Sequence, residues 1–163
     1  MDNTSLEIKL KSLNLEHNPI FTKKDHVKYV QDWRGQYKGD AAAILTPTNT
    51  KEVSRILKLA NDNKIGVVPQ GGNTSLCGAA TPDKSGTSIV ISFEKMNKIR
   101  QFNKESQTIT VESGVILSQI HNVVEKENLF FPLSLGAQGS CMIGGNLSTN
   151  AGGVNVLKYG NTR

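Results

Sequence analysis

The 163-residue chain is short of cysteine, of aromatic residues and of long apolar runs, and each shortage removes a class of protein. Two cysteines, Cys77 and Cys141, are too few for a disulfide framework, and neither lies in a CxxC or Cys/His pattern. One bridge between them stays open, with a reduced chain the simpler reading. No run approaches the ~18 apolar residues of a membrane span, and Met1 to Leu10 holds no apolar signal core. A cytoplasmic protein, at most peripherally bound to a membrane and without a transmembrane segment, is expected. The formal charge is +5, but the basic residues are scattered and the densest group, Lys23-Lys24 with Lys28, has little aromatic interleaving. That distribution gives no reason to expect a nucleic-acid partner. His17, His26 and His121 lie in no ligand motif, so no metal is expected and they read as solvent or rim residues. The P-loop pattern GxxxxGK[ST] and the dinucleotide fingerprint GxGxxG are both missing.

What the chain has is glycine, 15 residues, most of them between Gly66 and Gly86 or between Gly136 and Gly160. Around these clusters the pattern is that of short alternating elements. Leu6, Leu10 and Leu13 have helical spacing, and Asp25 to Gly39 reads as a connector whose Trp33 and Tyr37 dock on the domain C-terminal to it. Residues 41–46 make an apolar strand ended by Pro47. Thr50 is expected to cap a helix to about Asn63, with Val53, Ile56, Leu57 and Ala60 inward and Glu52 at its dipole. Ile65 to Val68 is a second strand stopped by Pro69, giving a strand–helix–strand unit and a parallel pair. Residues 88–93 form a third strand, 99–102 and 108–112 a hairpin, and 115–128 a helix with Ile116, Ile120, Val123 and Val124 inward. The fold class is α+β or α/β. Residues 1–38 form an N-terminal helical or connector segment, and the remaining domain runs over 39–163.

Two segments carry chemistry. In Pro69-Gln-Gly-Gly-Asn-Thr-Ser-Leu-Cys-Gly78, adjacent glycines let backbone N–H groups turn to one side, and Asn73, Thr74 and Ser75 add donors. Phosphate oxygens only accept, so such a loop suits an anion; the same residues also suit a tight polar surface turn. From Phe131 to Gly160 the chain is rich in glycine and small polar residues, a length that compact domains seldom leave without function. A flat, polar-edged ring pressed on small residues would use it, and Ile143, Leu147, Val154, Val156 and Leu157 can anchor it.

Together, Pro69-Gln-Gly-Gly-Asn-Thr-Ser75, Phe131-Pro-Leu-Ser-Leu-Gly-Ala-Gln-Gly-Ser140, Ile143-Gly-Gly-Asn, Ser148-Thr-Asn-Ala-Gly-Gly153 and Tyr159-Gly160 resemble the FAD-binding domain of the vanillyl-alcohol oxidase (PCMH-type) flavoproteins. The likeness is greatest to the D-2-hydroxyacid dehydrogenase branch. It implies a domain of two α/β subdomains and Gly71, Gly72, Asn73, Thr74 and Ser75 as FAD phosphate ligands, with Gly78 closing the loop. It further implies Pro132, Gly136, Ser140, Gly144, Gly145 and Asn150 as cofactor contacts, Ala151 and Gly152 keeping that wall thin, and Gly160 as another contact. Asn73 stands where covalently flavinylated relatives carry histidine, which implies non-covalent FAD. Ser75 replaces a common glycine, and Ser134 a frequent acid. Family members continue into more of the FAD domain and a substrate domain. The resemblance therefore implies a domain incomplete at its C-terminal side, with catalytic residues supplied by a complementing chain. The alternative is a truncated or split product without catalysis of its own.

Overall fold

The short apolar runs and the amphipathic stretch between them fold, in a computed structural model describing residues 3–162, into two compact units, Met1–Lys95 and Met96–Arg163. The first unit contains α1 (Asn3–Lys11), α2 (Lys23–Val30), β1 (Ala43–Leu45), α3 (Thr50–Asp62), β2 (Val67–Gln70) and β3 (Ile89–Ser92). Its sheet has the order β1-β3-β2 with both pairings parallel, in register Ile44↔Val90 and Val68↔Val90. The strand–helix–strand unit therefore yields parallel strands, as expected, but not neighbours. β3 is buried along its whole length and takes the centre, where a strand must be apolar on both faces. β2 starts at Val67 rather than Ile65 and runs through Pro69 to Gln70. Proline is tolerated there because β2 is an edge strand, and the ladder loses no donor on the unpaired side.

α3 is capped by Asn49, not Thr50: the Asn49 side chain accepts from the Glu52 N–H at 3.0 Å. Ile56 and Ala60 reach the core, while Leu57, expected inward, is 46% exposed and Leu59 packs in its stead. Glu52 is buried rather than lying at the surface, and its carboxylate accepts the N–H groups of Glu16 and Thr48, each at 2.8 Å. Burial pushes its pKa up, but the amides of Thr48 and Glu16 and the Thr48 hydroxyl outweigh this and hold it below the usual carboxylate value. On one side of the sheet, Leu6 and Leu10 of α1 join Ala43, Leu45, Ile56, Ala60, Ile89 and Ile91. The other side is covered by Tyr29 and Val30 of α2, against Ala41, Ile44 and Val90. The stretch read as a connector is thus helical up to Val30. His26, expected at the surface, is 1% exposed with Nε2 donating to the Ile20 carbonyl at 2.9 Å. Trp33 stays 63% exposed and does not dock.

The second unit contains β4 (Ile99–Asn103), β5 (Thr108–Val111), α4 (Leu117–Glu125), α5 (Ile143–Ser148) and α6 (Val156–Tyr159). β4 and β5 form the expected antiparallel hairpin. Glu112 just beyond it accepts the Lys98 N–H at 2.9 Å and the Arg100 guanidinium at 3.0 Å. α4 is shorter than the apolar pattern suggests. Its buried residues are Leu117, Ile120 and Val124, with Val123 half-buried; of the expected inward residues, Ile116 is its half-buried N-cap, and Val115 before it is buried. Val115, Ile120 and Val124 pack with Ile143 over the hairpin residues Ile99, Phe102, Ile109 and Val111. His121 is half-buried, its Nε2 donating to the Leu133 carbonyl at 2.8 Å.

Candidate functional site

The first glycine loop springs from the C-terminal end of β2, where a parallel sheet places its ligand-bearing turns. The N–H groups of Gly71, Gly72, Asn73, Thr74 and Ser75 donate to no group among the described residues, and neither does the Thr74 hydroxyl. These residues are half-buried, and their amides are taken up by no helix or sheet ladder. A run of them left uncommitted is therefore a donor array that fits an acceptor-only ligand such as a phosphate. Asn73 sits at φ +53°, and its side chain faces inward, donating to the Gln31 carbonyl at 2.8 Å. Its backbone rather than its side chain is thus the group offered to a ligand. Ser75 Oγ lies 3.4 Å from Cys77 Sγ and accepts the Cys77 N–H at 3.3 Å. Cys77 is an exposed free thiol, held below its ordinary pKa first by the Ser75 hydroxyl and then by the Ala79 amide; Cys141 is free and buried, and burial pushes its thiol up.

The second segment is more ordered than its composition suggests. α5 is built on Gly144 and Gly145, and α6 comes after it. Gly144 is glycine for a packing reason: a Cβ there would lie 2.7 Å from Ser113 Cβ, and its N–H donates to the Ser113 carbonyl at 2.9 Å. Gly145, Gly136, Gly139 and Gly160 are different, since a Cβ on any of them would meet nothing within 4 Å. The N–H groups of Gly136, Gly139, Gly145 and Gly152 are also without partners among the described residues. Bare backbone facing open space, with no neighbour in its own unit to require it, is what close approach of a flat ligand needs. Pro132 offers its carbonyl to Asn155 Nδ2 at 2.9 Å, Ala151 receives both Thr162 donors at 2.9 Å, and Ser140 and Asn150 are exposed. Of the expected anchors, Ile143 is buried and Val156 half-buried, whereas Leu147, Val154 and Leu157 face outward; Leu133 and Cys141 hold the segment instead.

Residues 41–163 match the FAD binding domain family, over both glycine segments. The chain belongs to this FAD-binding family, and FAD is its cofactor. It is 45% identical over 130 residues to the D-2-hydroxyglutarate–pyruvate transhydrogenase of Saccharomyces cerevisiae, covering 80% of this chain and 26% of that protein. It is 37% identical over 159 residues to the D-2-hydroxyglutarate dehydrogenase of Xanthomonas citri pv. viticola, covering 98% and 31% respectively. The chain thus spans about a quarter to a third of the length of these relatives. Among solved structures, its fold is similar to alkyldihydroxyacetonephosphate synthase, with a TM-score of 0.84 at 21% identity over 99% of this chain and 31% of that one. The 6-hydroxy-D-nicotine oxidase of Arthrobacter nicotinovorans gives a TM-score of 0.78 at 19% identity, over 92% of this chain and 32% of that one. The PCMH-type FAD-binding fold expected from the glycine motifs is therefore the fold of this FAD-binding chain. No described helix is long and apolar enough to cross a membrane, and no cluster of His, Cys, Asp and Glu able to hold a metal occurs among the described residues.

A residue not counted among the candidate cofactor contacts also shapes the first glycine segment. Gln70 is 2% exposed and donates to the carbonyls of Tyr29 and Ala80, both at 2.8 Å. Its signals in the sequence are its place in the motif Pro69-Gln-Gly-Gly-Asn-Thr-Ser75 and its position, a polar residue closing an apolar strand just before two glycines.

Proposed function

We propose that the chain forms the FAD-binding portion of an oxidoreductase that removes hydride from the carbinol carbon of a D-2-hydroxy acid. The observation that carries this reading is the run of unpartnered N–H groups from Gly71 to Ser75. A pyrophosphate supplies acceptors only, and these donors have no competing partner among the described residues. Gly71, Gly72, Asn73, Thr74 and Ser75 would hold the phosphates through backbone N–H groups, with the Thr74 and Ser75 hydroxyls as further donors, while the Asn73 side chain would tether the loop and Gly78 would close it. Pro132, Gly136, Ser140, Gly144, Gly145, Asn150, Ala151, Gly152 and Gly160 would line the remainder of the cofactor. FAD, when bound, supplies the redox chemistry as hydride acceptor. The chain's residues bind and orient it, and nothing at position 73 offers a histidine for covalent attachment. Support for the substrate class comes from the names of the relatives. The base and the group that binds the substrate carboxylate are assigned to a complementing chain.

The test is to combine the chain and FAD with a second chain covering the rest of the family's length, and to add D- or L-2-hydroxyglutarate anaerobically. Bleaching of the flavin by the D enantiomer alone supports the reading. Flavin that stays bound yet is bleached by no D-2-hydroxy acid supports a second reading, an FAD-binding module without catalysis.

A further inference from the structure

The first glycine loop lies alongside an earlier stretch of the same unit, and the two are tied at successive points. Gln70 joins the loop's two ends by donating to Ala80 O, and it also donates to Tyr29 O, each at 2.8 Å. Asn73 Nδ2 donates to Gln31 O at 2.8 Å. Arg34 Nη2 donates to Leu76 O. Gly78, at φ +70°, lies so close to the Tyr37 ring that a Cβ there would stand 2.6 Å from it. The order 29, 31, 34, 37 along one stretch thus parallels the order 70, 73, 76, 78 along the other. None of these ties uses the N–H groups of Gly71 to Ser75.

The earlier stretch is itself fixed. Asp32 is 3% exposed, and its carboxylate accepts the N–H of Tyr37 at 2.7 Å and of Arg34 at 3.3 Å. The Asp32 N–H donates to Tyr37 O at 3.0 Å, and the Tyr29 hydroxyl donates to Glu94 at 2.8 Å. The whole stretch precedes residue 41, where the family match begins.

We propose that residues 29–37 act as a template for the glycine loop, with Arg34 and Tyr37 as positioning residues that hold its amides in the arrangement FAD requires. The template takes up the loop's carbonyl of Leu76 and the side chain of Asn73, the groups that would otherwise compete for or obstruct the donors. It rests on the reading of Gly71 to Ser75 as FAD phosphate ligands. A loop released from the template samples other conformations, and apparent affinity falls with the fraction that remains competent.

The test compares Arg34→Ala and Tyr37→Ala with the conservative Arg34→Lys and Tyr37→Phe in the full chain. FAD dissociation constants come from equilibrium dialysis, and apo-protein ¹⁵N heteronuclear NOEs report on residues 71–78. The alanine variants are expected to weaken FAD about tenfold, as a fall of the competent fraction to about one-tenth requires. Their loop NOEs should drop while the NOEs of β1 and β3 hold, and Tyr37→Phe, which keeps the ring on Gly78, should restore both. Unchanged affinity and unchanged loop NOEs in the alanine variants would overturn the template. If the wild-type chain itself holds no FAD, the cofactor reading has failed. The NOEs then decide the template alone, a drop confined to 71–78 supporting it and no drop refuting it. A variant that loses the NOEs of β1 and β3 as well places Arg34 or Tyr37 in general folding, which also refutes the proposal.

Discussion

Gly144 and Gly145 stand side by side in α5 but meet opposite surroundings, which makes them a matched pair for separating packing from ligand binding. Gly145→Ala adds a methyl group where nothing lies within 4 Å, so the folded chain has no steric objection to it. In a helix, alanine is favoured over glycine by about 0.5–1 kcal/mol. For a chain of this size that corresponds to a rise in Tm of about 1–4 °C. Gly144→Ala puts its methyl 2.7 Å from Ser113 Cβ and 2.9 Å from the Ser113 carbonyl oxygen, and that carbonyl is fixed by the Gly144 N–H. Overpacking of this kind costs about 1–3 kcal/mol, more than the helix preference returns, so the Tm should fall. Binding of FAD reverses the ranking at Gly145. If the backbone there is a cofactor wall, the same methyl intrudes on the ligand by about 1–3 kcal/mol, an increase in Kd of about five- to 150-fold. Calorimetry of the apo protein and equilibrium dialysis with FAD measure both quantities. A Gly145→Ala protein that is stabilised and binds FAD as tightly as wild type would refute the assignment of Gly145 as a contact.

Glu52→Gln keeps one acceptor but turns an NH₂ toward the N–H of either Glu16 or Thr48, so it should cost about 1.5–3 kcal/mol in urea unfolding; a change under a few tenths would mean the buried carboxylate is replaceable. The pKa values of Glu52 and Glu112 are both lowered, the latter chiefly by the Lys98 amide N–H and Arg100. A depressed carboxylate contributes stability that is complete above its unfolded value of about 4.3 and is lost as the pH falls through the folded value. The urea midpoint should accordingly fall from about pH 5 to about pH 3, less steeply in Glu52→Gln, and equal slopes in the two proteins would contradict the assignment. Cys77, exposed and depressed, should alkylate with iodoacetamide well before buried Cys141, and FAD on the adjacent loop should slow it. Equal labelling of the two thiols in folded protein would show that the loop is not as described.

Much of the local structure is legible in the sequence because local rules dominate it. Ile56 and Ala60 share a helical face, Pro47 lies just past the end of a buried strand, and the turn before Thr108 joins two strands whose ends fall within one residue of those expected. The family is also legible, because the glycine motifs that carry the resemblance lie within the matched residues 41–163. Partners distant in sequence are not. Nothing near Glu52 reveals that Glu16 donates to it, and nothing near Asn73 reveals that its side chain faces Gln31. The central place of β3 is a matter of topology, decided by which strand is apolar on both faces. α5 leaves no trace in the sequence pattern because a six-residue helix with two glycines shows no period, and hydrophobicity alone points Leu147, Val154 and Leu157 inward when they lie outside.

The central claim is that this chain binds FAD, and flavin retention tests it most directly. The purified chain is mixed with FAD, desalted, and its flavin absorbance and protein content are measured. The account predicts about one flavin per chain, with a spectrum shifted from that of free FAD, since uncommitted amides and open glycine backbone are ready to receive it. Folded protein that emerges colourless at saturating FAD would contradict it.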